Sequence, residues 1–261
     1  MRIGVFQFGA SDDLGKNYAR MTDAIEQAAR EEVQLLVFQE CAACGYPSVE
    51  RTDVEGIDFG ELWDYAEKIA ALARRHDMYI AFGTIIKREE CFFNSIQLIG
   101  PNGKILGAYD KRALWGWDTD MLSNFSRGRS QGIFSIDGCK VGFRICFEVR
   151  FPEYFRELYK EDVQLCFVSF CDVNEKGDPD RLALLKAHLQ TRAVENIMTV
   201  VSVNSTSKFQ TAPTAVINHN GVVVAEAPAN EEHLLVYEYA APKSDFGIEG
   251  RRVNNAVLLS E

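Results

Sequence analysis

Cys146 ends an apolar run, residues 140–146, that predicts a buried β-strand. Charged and aromatic residues follow it, and residues 152–160 then show a helical pattern. A sulfur at such a corner faces the N-terminal end of a helix, where unpaired N–H groups and the helix dipole favour a thiolate. The position therefore indicates a nucleophile. Free cysteines are also among the most often buried residues, so a small core residue is the alternative interpretation.

Two other predicted strand ends carry residues that could activate a thiol. Glu40 follows the apolar run 33–39, where partial desolvation raises the pKa of a carboxylate toward that of a useful general base. Lys111 follows another strand, and its ammonium could stabilise an oxyanion. Most of an ordinary thiol is protonated at neutral pH, so Cys146 needs such a base or cation. Taken alone, Glu40 and Lys111 are each interpreted first as ordinary polar residues where a strand meets solvent.

Histidine, the usual base for a cysteine nucleophile, has no suitable candidate in this chain. His76, His188, His219 and His233 lie in predicted helix, turn and strand positions that share no strand end. A Cys–His dyad is therefore not expected. The sequence also has no His/Cys cluster at zinc spacing, so we expect no metal site.

Cys41-Ala42-Ala43-Cys44 forms a C-x-x-C motif directly after a predicted strand, and it is the competing cysteine site. A thioredoxin-like redox centre would begin in this way. The following Gly45-Tyr46-Pro47 would interrupt the helix that such a centre requires. The redox interpretation is therefore the weaker one at this stage.

Short buried strands alternate with amphipathic helices along the whole chain. The fold that these elements form must bring Glu40, Lys111 and Cys146 together. The predicted helices are 17–31, 61–75, 152–160 and 181–196, and the predicted hairpins turn at Asn102-Gly103 and Asn220-Gly221. This alternation predicts an α/β fold with parallel strands covered by helices and added antiparallel hairpins. Reactive groups gather at the carboxyl ends of strands in such folds. No linker or repeat divides the chain, so we expect one domain, residues 1–261.

Composition excludes several classes of partner. The chain has 261 residues, 47% of them hydrophobic, and a formal net charge of −10. Nucleic acids and anionic membranes select basic surfaces, so neither is an expected partner. No apolar run approaches the roughly 20 residues that span a bilayer, and the N-terminus reads as a strand, not a secretory signal. Seven irregularly spaced cysteines do not indicate a disulfide framework. These features favour a cytoplasmic location.

The three strand-end motifs, in the order Glu, Lys, Cys, resemble those of the nitrilase superfamily of carbon–nitrogen hydrolases. The similar segments are residues 37–46, 93–95, 107–111, 145–153 and 192–204. The resemblance implies a four-layer α-β-β-α sandwich of the nitrilase type, with two mixed sheets flanked by helices. It also implies a homodimer or higher homo-oligomer formed through the outer helices, and a reaction without metal or organic cofactor.

The same resemblance assigns roles to the candidate residues. Glu40, Lys111 and Cys146 become a catalytic triad that cleaves a non-peptide C–N bond. Glu40 takes the thiol proton, and Cys146 attacks the amide carbon. Lys111 and the backbone N–H of Phe147 stabilise the oxyanion.

One departure from the family pattern concerns a second acid. Many members carry another glutamate between the lysine and the nucleophile, some seven residues before a glycine. Counting back from Gly128 gives Met121 at that position, with Asp120 beside it. Either Asp120 takes that role or the position is lost.

Several residues are candidates for substrate binding. Trp115 and Trp117 could form an aromatic wall, since aromatic residues often line small-molecule sites, or they could serve packing or dimer contact. Tyr46 in its Gly-Tyr segment, and Phe170 and Cys171 after a strand, are further candidates. A backbone carbonyl of the segment 170–173, or Asp172, could hold the leaving amine. Arg150 could bind a substrate carboxylate or, as the favoured alternative, pair with Glu148 or Glu153 and hold the corner rigid.

The leading functional hypothesis is a thiol amidase that acts on a small carboxamide, with an ω-amide of a dicarboxylic acid as one candidate substrate. Hydrolysis of an N-carbamoyl amino compound is the alternative within the same chemistry. Nitrile hydrolysis comes third, because Phe147 follows the nucleophile where nitrile-specific members usually have tryptophan. Two alternatives come from other classes of protein: a non-catalytic metabolite-binding member of the fold, and a thiol–disulfide enzyme that uses Cys41 and Cys44.

Overall fold

Two six-stranded sheets occupy the centre of the molecule in a computed structural model that describes residues 1–116 and 124–259. The first sheet has the order β14-β1-β2-β3-β4-β5. Its strands are β1 (Arg2–Gln7), β2 (Leu35–Phe38), β3 (Tyr79–Arg88), β4 (Cys91–Ile99), β5 (Ile105–Asp110) and β14 (His233–Glu238). The second sheet has the order β13-β12-β10-β8-β7-β6. Its strands are β6 (Ile133–Ile136), β7 (Cys139–Ile145), β8 (Leu165–Phe170), β10 (Thr199–Asn204), β12 (Ala215–Ile217) and β13 (Val223–Glu226).

The α-helices that flank these sheets begin at aspartate caps in most cases. They are α1 (Leu14–Arg30), α2 (Phe59–His76), α3 (Pro152–Lys160), α4 (Pro179–Glu195) and α5 (Phe246–Leu258). Asp13, Asp58, Asp178 and Asp245 each accept a backbone N–H of the first turn, which satisfies a donor that has no partner inside the helix. Helix α3 begins instead with Pro152, whose fixed φ suits a first helical position. None of the described helices is long and apolar enough to cross a membrane.

Parallel and antiparallel pairing occur in both sheets, as the sequence pattern predicts. β1, β2 and β3 are parallel, and β3, β4 and β5 form antiparallel hairpins. In the second sheet β7, β8 and β10 are parallel, while β6 and β12 pair antiparallel at either side. The predicted α/β sandwich of two mixed sheets is confirmed.

Alternating side chains of the strands create three apolar layers. Leu35 and Val37 of β2 point into the core between the two sheets, where they meet Phe143 and Phe167 of the second sheet. Their neighbour Leu36 points the other way, into a layer with α1 and α2. A third cluster joins the outer face of the second sheet to α3 and α4. Since β2 and β8 are buried along their whole length, their sequences read as nearly unbroken apolar runs.

Four elements, β6, β9 (Val173–Asn174), β11 (Phe209–Gln210) and α5, were not predicted from the sequence. β6 is short and half exposed, and the two-stranded pair β9 and β11 has only two residues on each side. Such short segments carry little periodicity. Helix α5 has an exposed face that includes Phe246, Val253 and Val257. Its apolar residues therefore do not follow the pattern of a helix with one buried face.

Candidate active site

Glu40 lies two residues after the end of β2, and its carboxylate is completely buried. Oε1 accepts hydrogen bonds from Lys111 Nζ at 2.9 Å and from Asn94 Nδ2 at 2.7 Å. Oε2 accepts the backbone N–H of Cys171 at 2.8 Å. Burial of a charge is tolerated only with partners of this kind, and these donors also fix the direction of both oxygens.

The backbone around Glu40 approaches β3 too closely for a side chain at Gly83. A Cβ at Gly83 would lie 2.2 Å from Gln39 O and 2.3 Å from Cys41 N. Only glycine fits there. The position of Glu40 therefore depends on a residue more than forty positions away in the sequence.

Lys111 follows β5, and its side chain is buried with Glu40. Its backbone N–H donates to Asn94 O at 2.8 Å, so Asn94 holds both members of the ion pair. The ammonium also lies 5.5 Å from the centre of the Tyr46 ring, within the range of a cation–π contact. Because the pair is buried, its attraction is little screened by water or salt.

Cys146 lies at the corner between β7 and a 3-10 helix, Cys146–Arg150. Its φ of 45° belongs to the left-handed region, which non-glycine residues seldom adopt. The side chain is half-buried, unlike the fully buried Cys166. Phe147 is the second residue of the short helix, so its N–H belongs to a first turn whose donors have no intrahelical partner. The corner thus presents a sulfur beside a backbone N–H that has no partner within the short helix.

Glu148 holds this corner in place, a role that the sequence did not reveal. Its buried carboxylate accepts hydrogen bonds from the Tyr109 hydroxyl at 2.7 Å, the Arg112 N–H at 2.6 Å and the Ile145 N–H at 2.7 Å. Burial of the Tyr109 phenol, together with the nearby Glu148 charge, raises the pKa of that phenol well above its ordinary value. Glu148 therefore ties the end of β7 to the segment after β5, which carries Lys111.

A cavity of about 240 Å³ opens beside the nucleophile. Cys146 and Phe147 contribute to its wall, together with the predicted residues Tyr46, Trp115, Arg150, Phe170 and Cys171. Trp117 and Asp120, the other two predicted residues, lie outside the described residues.

The cavity wall connects the nucleophile to the buried ion pair. Cys171 is part of that wall, and its N–H bonds to Glu40. Tyr46 is also part of the wall, and its ring lies against Lys111. The structure therefore brings Glu40, Lys111 and Cys146 to one end of the two sheets, with the acid and the cation one contact behind the surface that a small molecule would touch.

Arg150 is the one cavity residue whose predicted pairing is wrong. Its expected partner Glu148 is occupied by the bonds described above, and across residues 1–116 and 124–259 Arg150 has no ion pair. Its guanidinium lies 5.8 Å from the centre of the Phe147 ring. The structure therefore favours the other interpretation, in which Arg150 is available to an anionic ligand.

Asp172, which was a possible ligand for a leaving amine, has another function. Arg181 of α4 donates to both of its carboxylate oxygens, at 2.7 Å each, and the Thr211 hydroxyl also donates to it. Both members of this bidentate pair also line the cavity. Because Arg181 and Thr211 already bind its oxygens, the structure gives Asp172 a structural role, and its contact with a leaving amine stays a prediction.

Cys41 and Cys44 lie in a buried turn and do not form a disulfide. Burial raises the pKa of the Cys41 thiol well above its ordinary value, and the neighbouring Cys44 contributes in the same direction. The Cys41 thiol donates to Asn94 Oδ1 at 3.8 Å, which helps to orient the amide that binds Glu40. A redox centre needs an accessible thiolate, so this environment does not support the thiol–disulfide interpretation.

Within the described part of the chain, the cavity wall includes no histidine. The same residues contain no cluster of three or more His, Cys, Asp or Glu side chains that could hold a metal ion.

Comparisons with known proteins agree with this architecture. The amidase from Nesterenkonia sp. superimposes with a TM-score of 0.77 at 22% identity, over 99% of this chain and 95% of that one. The deaminated glutathione amidase of Dictyostelium discoideum is 25% identical, over 88% of this chain and 84% of that protein. The omega-amidase NIT2 of Danio rerio is 26% identical, over 88% and 85% respectively. The model of the carbon-nitrogen hydrolase family matches residues 2–242, and this chain therefore belongs to that family.

Proposed function

We propose that this protein hydrolyses the C–N bond of a small carboxamide through a thioester on Cys146, releasing ammonia. The buried Glu40–Lys111 ion pair, one contact behind the wall of the cavity that exposes Cys146, carries this proposal. A base, a cation and a nucleophile around one small volume are what cleavage of an amide by a thiol requires. A resting structural cysteine would not need such surroundings.

Glu40 acts as the general base in the first half of the reaction and as the acid when the leaving group departs. It takes the thiol proton as Cys146 sulfur forms a bond to the amide carbon. The tetrahedral intermediate collapses as the C–N bond breaks, and Glu40 gives the same proton to the departing nitrogen. Glu40 then removes a proton from water, which attacks the thioester and releases the acid and the free thiol.

Lys111 and the N–H of Phe147 stabilise the oxyanion that forms in each half-reaction. The lysine is held in place by the Glu40 carboxylate, so its charge is oriented before substrate arrives. Loss of a single donor of this type typically costs about 10²–10³ in kcat.

Arg150 supports a substrate that carries a carboxylate, such as an ω-amide of a dicarboxylic acid. Its guanidinium lines the cavity with no ion pair to a described residue, so a planar anion could take both of its donor edges. Two relatives have names that agree with a substrate of this kind: the omega-amidase of Danio rerio and the 2-oxoglutaramate amidase of Bacillus subtilis. The second is 24% identical, over 78% of this chain and 76% of that protein.

An N-carbamoyl amino acid is the second candidate substrate, because Arg150 would bind its carboxylate equally well. Its hydrolysis would release carbon dioxide as well as ammonia. The two substrates are thus distinguished by their products.

The assembly and location proposed from the sequence stay part of this proposal. We place residues 1–261 in one carbon–nitrogen hydrolase domain that works in the cytoplasm as a homodimer or higher homo-oligomer, without metal or organic cofactor. Exposed apolar residues on α5, Phe246 and Val253 among them, support an outer-helix contact. Light scattering on the purified protein would show the mass of a dimer or larger assembly, and a monomer would contradict the proposal.

Ammonia release from a panel of ω-amides, unsubstituted amides, N-carbamoyl amino acids and nitriles tests the proposed activity. We expect turnover with an ω-amide, and loss of turnover with Cys146→Ala. Cys91→Ala, at an exposed position of β4, is the matched control and should keep full activity. Equal rates for Cys146→Ala and wild type would refute the thioester mechanism. A folded protein that binds amides without turning any of them over would indicate a non-catalytic binding member of the fold.

A further inference from the structure

Glu50 is a titratable carboxyl near the site that the proposed mechanism does not use. It lies in the loop after β2, and its Oε2 accepts the backbone N–H of Tyr46 at 2.8 Å. Its Oε1 is hydrogen-bonded to the hydroxyl of Ser205, which directly follows β10 of the second sheet. The carboxyl therefore joins a loop of the first sheet to a strand end of the second.

Ser205 allows this carboxyl to be either charged or neutral. Its hydroxyl can donate to Glu50, or to Phe8 O at 3.4 Å or Ser207 Oγ at 3.1 Å. When Glu50 is protonated it donates to Ser205, which then turns its own proton to one of the other acceptors. Neither state leaves a buried donor or acceptor without a partner.

The charged and titratable groups around Glu50 do not include a paired cation. Glu40 follows β2, Cys171 follows β8, and Arg51 belongs to the same loop but donates to the carbonyls of Cys44 and Asp53. Over residues 1–116 and 124–259, Glu50 has no ion pair. Burial raises the pKa of Glu50 to about 7, and the Glu40 charge adds to that rise.

Two chains of contacts connect Glu50 to Glu40. The first passes through Tyr46, whose backbone Glu50 binds and whose ring lies 5.5 Å from the Lys111 ammonium that bonds to Glu40. The second passes through Ser205 and the carbonyl of Phe8, which also accepts the side-chain amide of Gln39 at 2.9 Å. Gln39 directly precedes Glu40, so both routes end at the proposed base.

We propose that Glu50 is a positioning residue whose ionisation sets the proton affinity of Glu40, and thereby the pH range in which Cys146 is activated. The role of Glu50 in turnover rests on the proposed function. Interaction between two ionisable groups is reciprocal, so if the Glu40 charge hinders ionisation of Glu50, the Glu50 charge strengthens Glu40 as a base. Base strength should then rise as Glu50 loses its proton.

Glu50→Gln is the sharpest variant, because a glutamine reproduces the neutral carboxyl. Its Oε1 can accept the Tyr46 N–H and its Nε2 can donate to Ser205. The wild-type profile of kcat/KM should contain an inflection near the Glu50 pKa of about 7, and Glu50→Gln should lack it. The two proteins should agree at about pH 5.5 and differ by about three- to tenfold at about pH 8.5, with wild type faster.

Glu55→Gln is the matched control, since it removes one carboxylate from an exposed position of the same loop. Its profile should keep the wild-type inflection. Ser205→Ala is a second variant in case Glu50→Gln folds poorly. The Ser205 hydrogen bond lowers the pKa of Glu50, so removing it should move the inflection to higher pH.

The rate of Cys146 alkylation by iodoacetamide, measured over the same pH range, separates this inference from the proposed function. An inflection present in wild type and Glu55→Gln but lost in Glu50→Gln supports the inference, even if no amide is turned over. The inference would be overturned by an inflection that persists in Glu50→Gln, or by wild-type and variant curves that stay parallel at every pH. Glu50 would then have only a structural role. Absence of amide turnover with an intact Glu50 effect on alkylation would count against the proposed amidase activity alone.

Discussion

The ammonium of Lys111 lies 2.9 Å from Oε1 of Glu40, and the two side chains are 1% and 0% exposed. A buried ion pair of this kind is held by the fold, because each charge taken alone would be costly to bury. Stability and activity should therefore depend on the pair in different ways.

Lys111→Gln leaves Glu40 buried without its cation and should destabilise the protein by about 3–5 kcal/mol. The double variant Glu40→Gln/Lys111→Gln removes both charges, so it should be more stable than Lys111→Gln although neither variant is active. Urea unfolding followed by circular dichroism measures both effects.

The exposed pair of Lys186 and Glu226, 2.7 Å apart, provides the control for that experiment. Lys186→Gln should cost at most about 1 kcal/mol, as is usual for surface ion pairs. The proposed coupling would be contradicted if the changes in unfolding free energy of Glu40→Gln and Lys111→Gln simply added up to that of the double variant.

Asn94→Ala should reduce kcat by about 10–100-fold with little change in KM, because a misplaced base lowers the rate of the chemical step. Asn94 donates to Glu40 and does not contribute to the described cavity wall. Steady-state kinetics on an amide substrate measures the two constants separately. Asn254→Ala, at an exposed position of α5, should leave both unchanged, and a rise in KM alone for Asn94→Ala would disprove the positioning role.

Arg150→Gln should lower kcat/KM for a carboxylate-bearing amide by about 10–100-fold, the usual range for a lost charge-assisted hydrogen bond of about 1.5–3 kcal/mol. A neutral amide of the same length should be affected much less. The ratio of the two specificity constants is the readout, with the exposed Arg30→Gln as a control. An unchanged ratio would remove Arg150 from the binding site.

Glu148→Gln should destabilise the protein by about 2–4 kcal/mol, because a buried carboxylate that accepts several hydrogen bonds is replaced by a group with one acceptor oxygen. Tyr109→Phe removes only one of those bonds and should cost about 1–2 kcal/mol. Chemical denaturation of both variants gives the comparison. If Tyr109→Phe cost as much as Glu148→Gln, the other acceptors would contribute little.

Glu50 should make stability fall as pH rises. Its pKa is about 7 in the folded state, against an ordinary value of 4.5, so between these values the folded protein holds a proton that the unfolded chain has lost. Glu50→Gln removes this dependence and should gain about 1–3 kcal/mol over wild type as pH increases from about 4.5 to about 7. Unfolding free energies at several pH values measure the gain, and a constant difference would contradict the raised pKa.

Much of the fold followed from local patterns. The helix predicted over residues 152–160 and the strand predicted over residues 199–204 have the bounds that the structure shows, and the other predicted helices differ by a few residues at their ends. Their periodicity is strong because each element buries a continuous face. α5 and β6 were missed because they bury little.

The strand ends that carry Glu40, Lys111 and Cys146 could be predicted from the sequence. The strands before Glu40 and Cys146 are largely buried apolar runs, and the strand before Lys111 belongs to a hairpin whose Asn-Gly turn is visible in the sequence. What surrounds these residues depends on the tertiary structure. Asn94, Glu148 and Glu50 bond to groups brought near by the folding of distant segments, and Arg150 proved to be without the ion pair that its sequence neighbours suggested. Hydrogen bonds of buried polar groups depend on through-space neighbours, which periodicity along the chain does not encode.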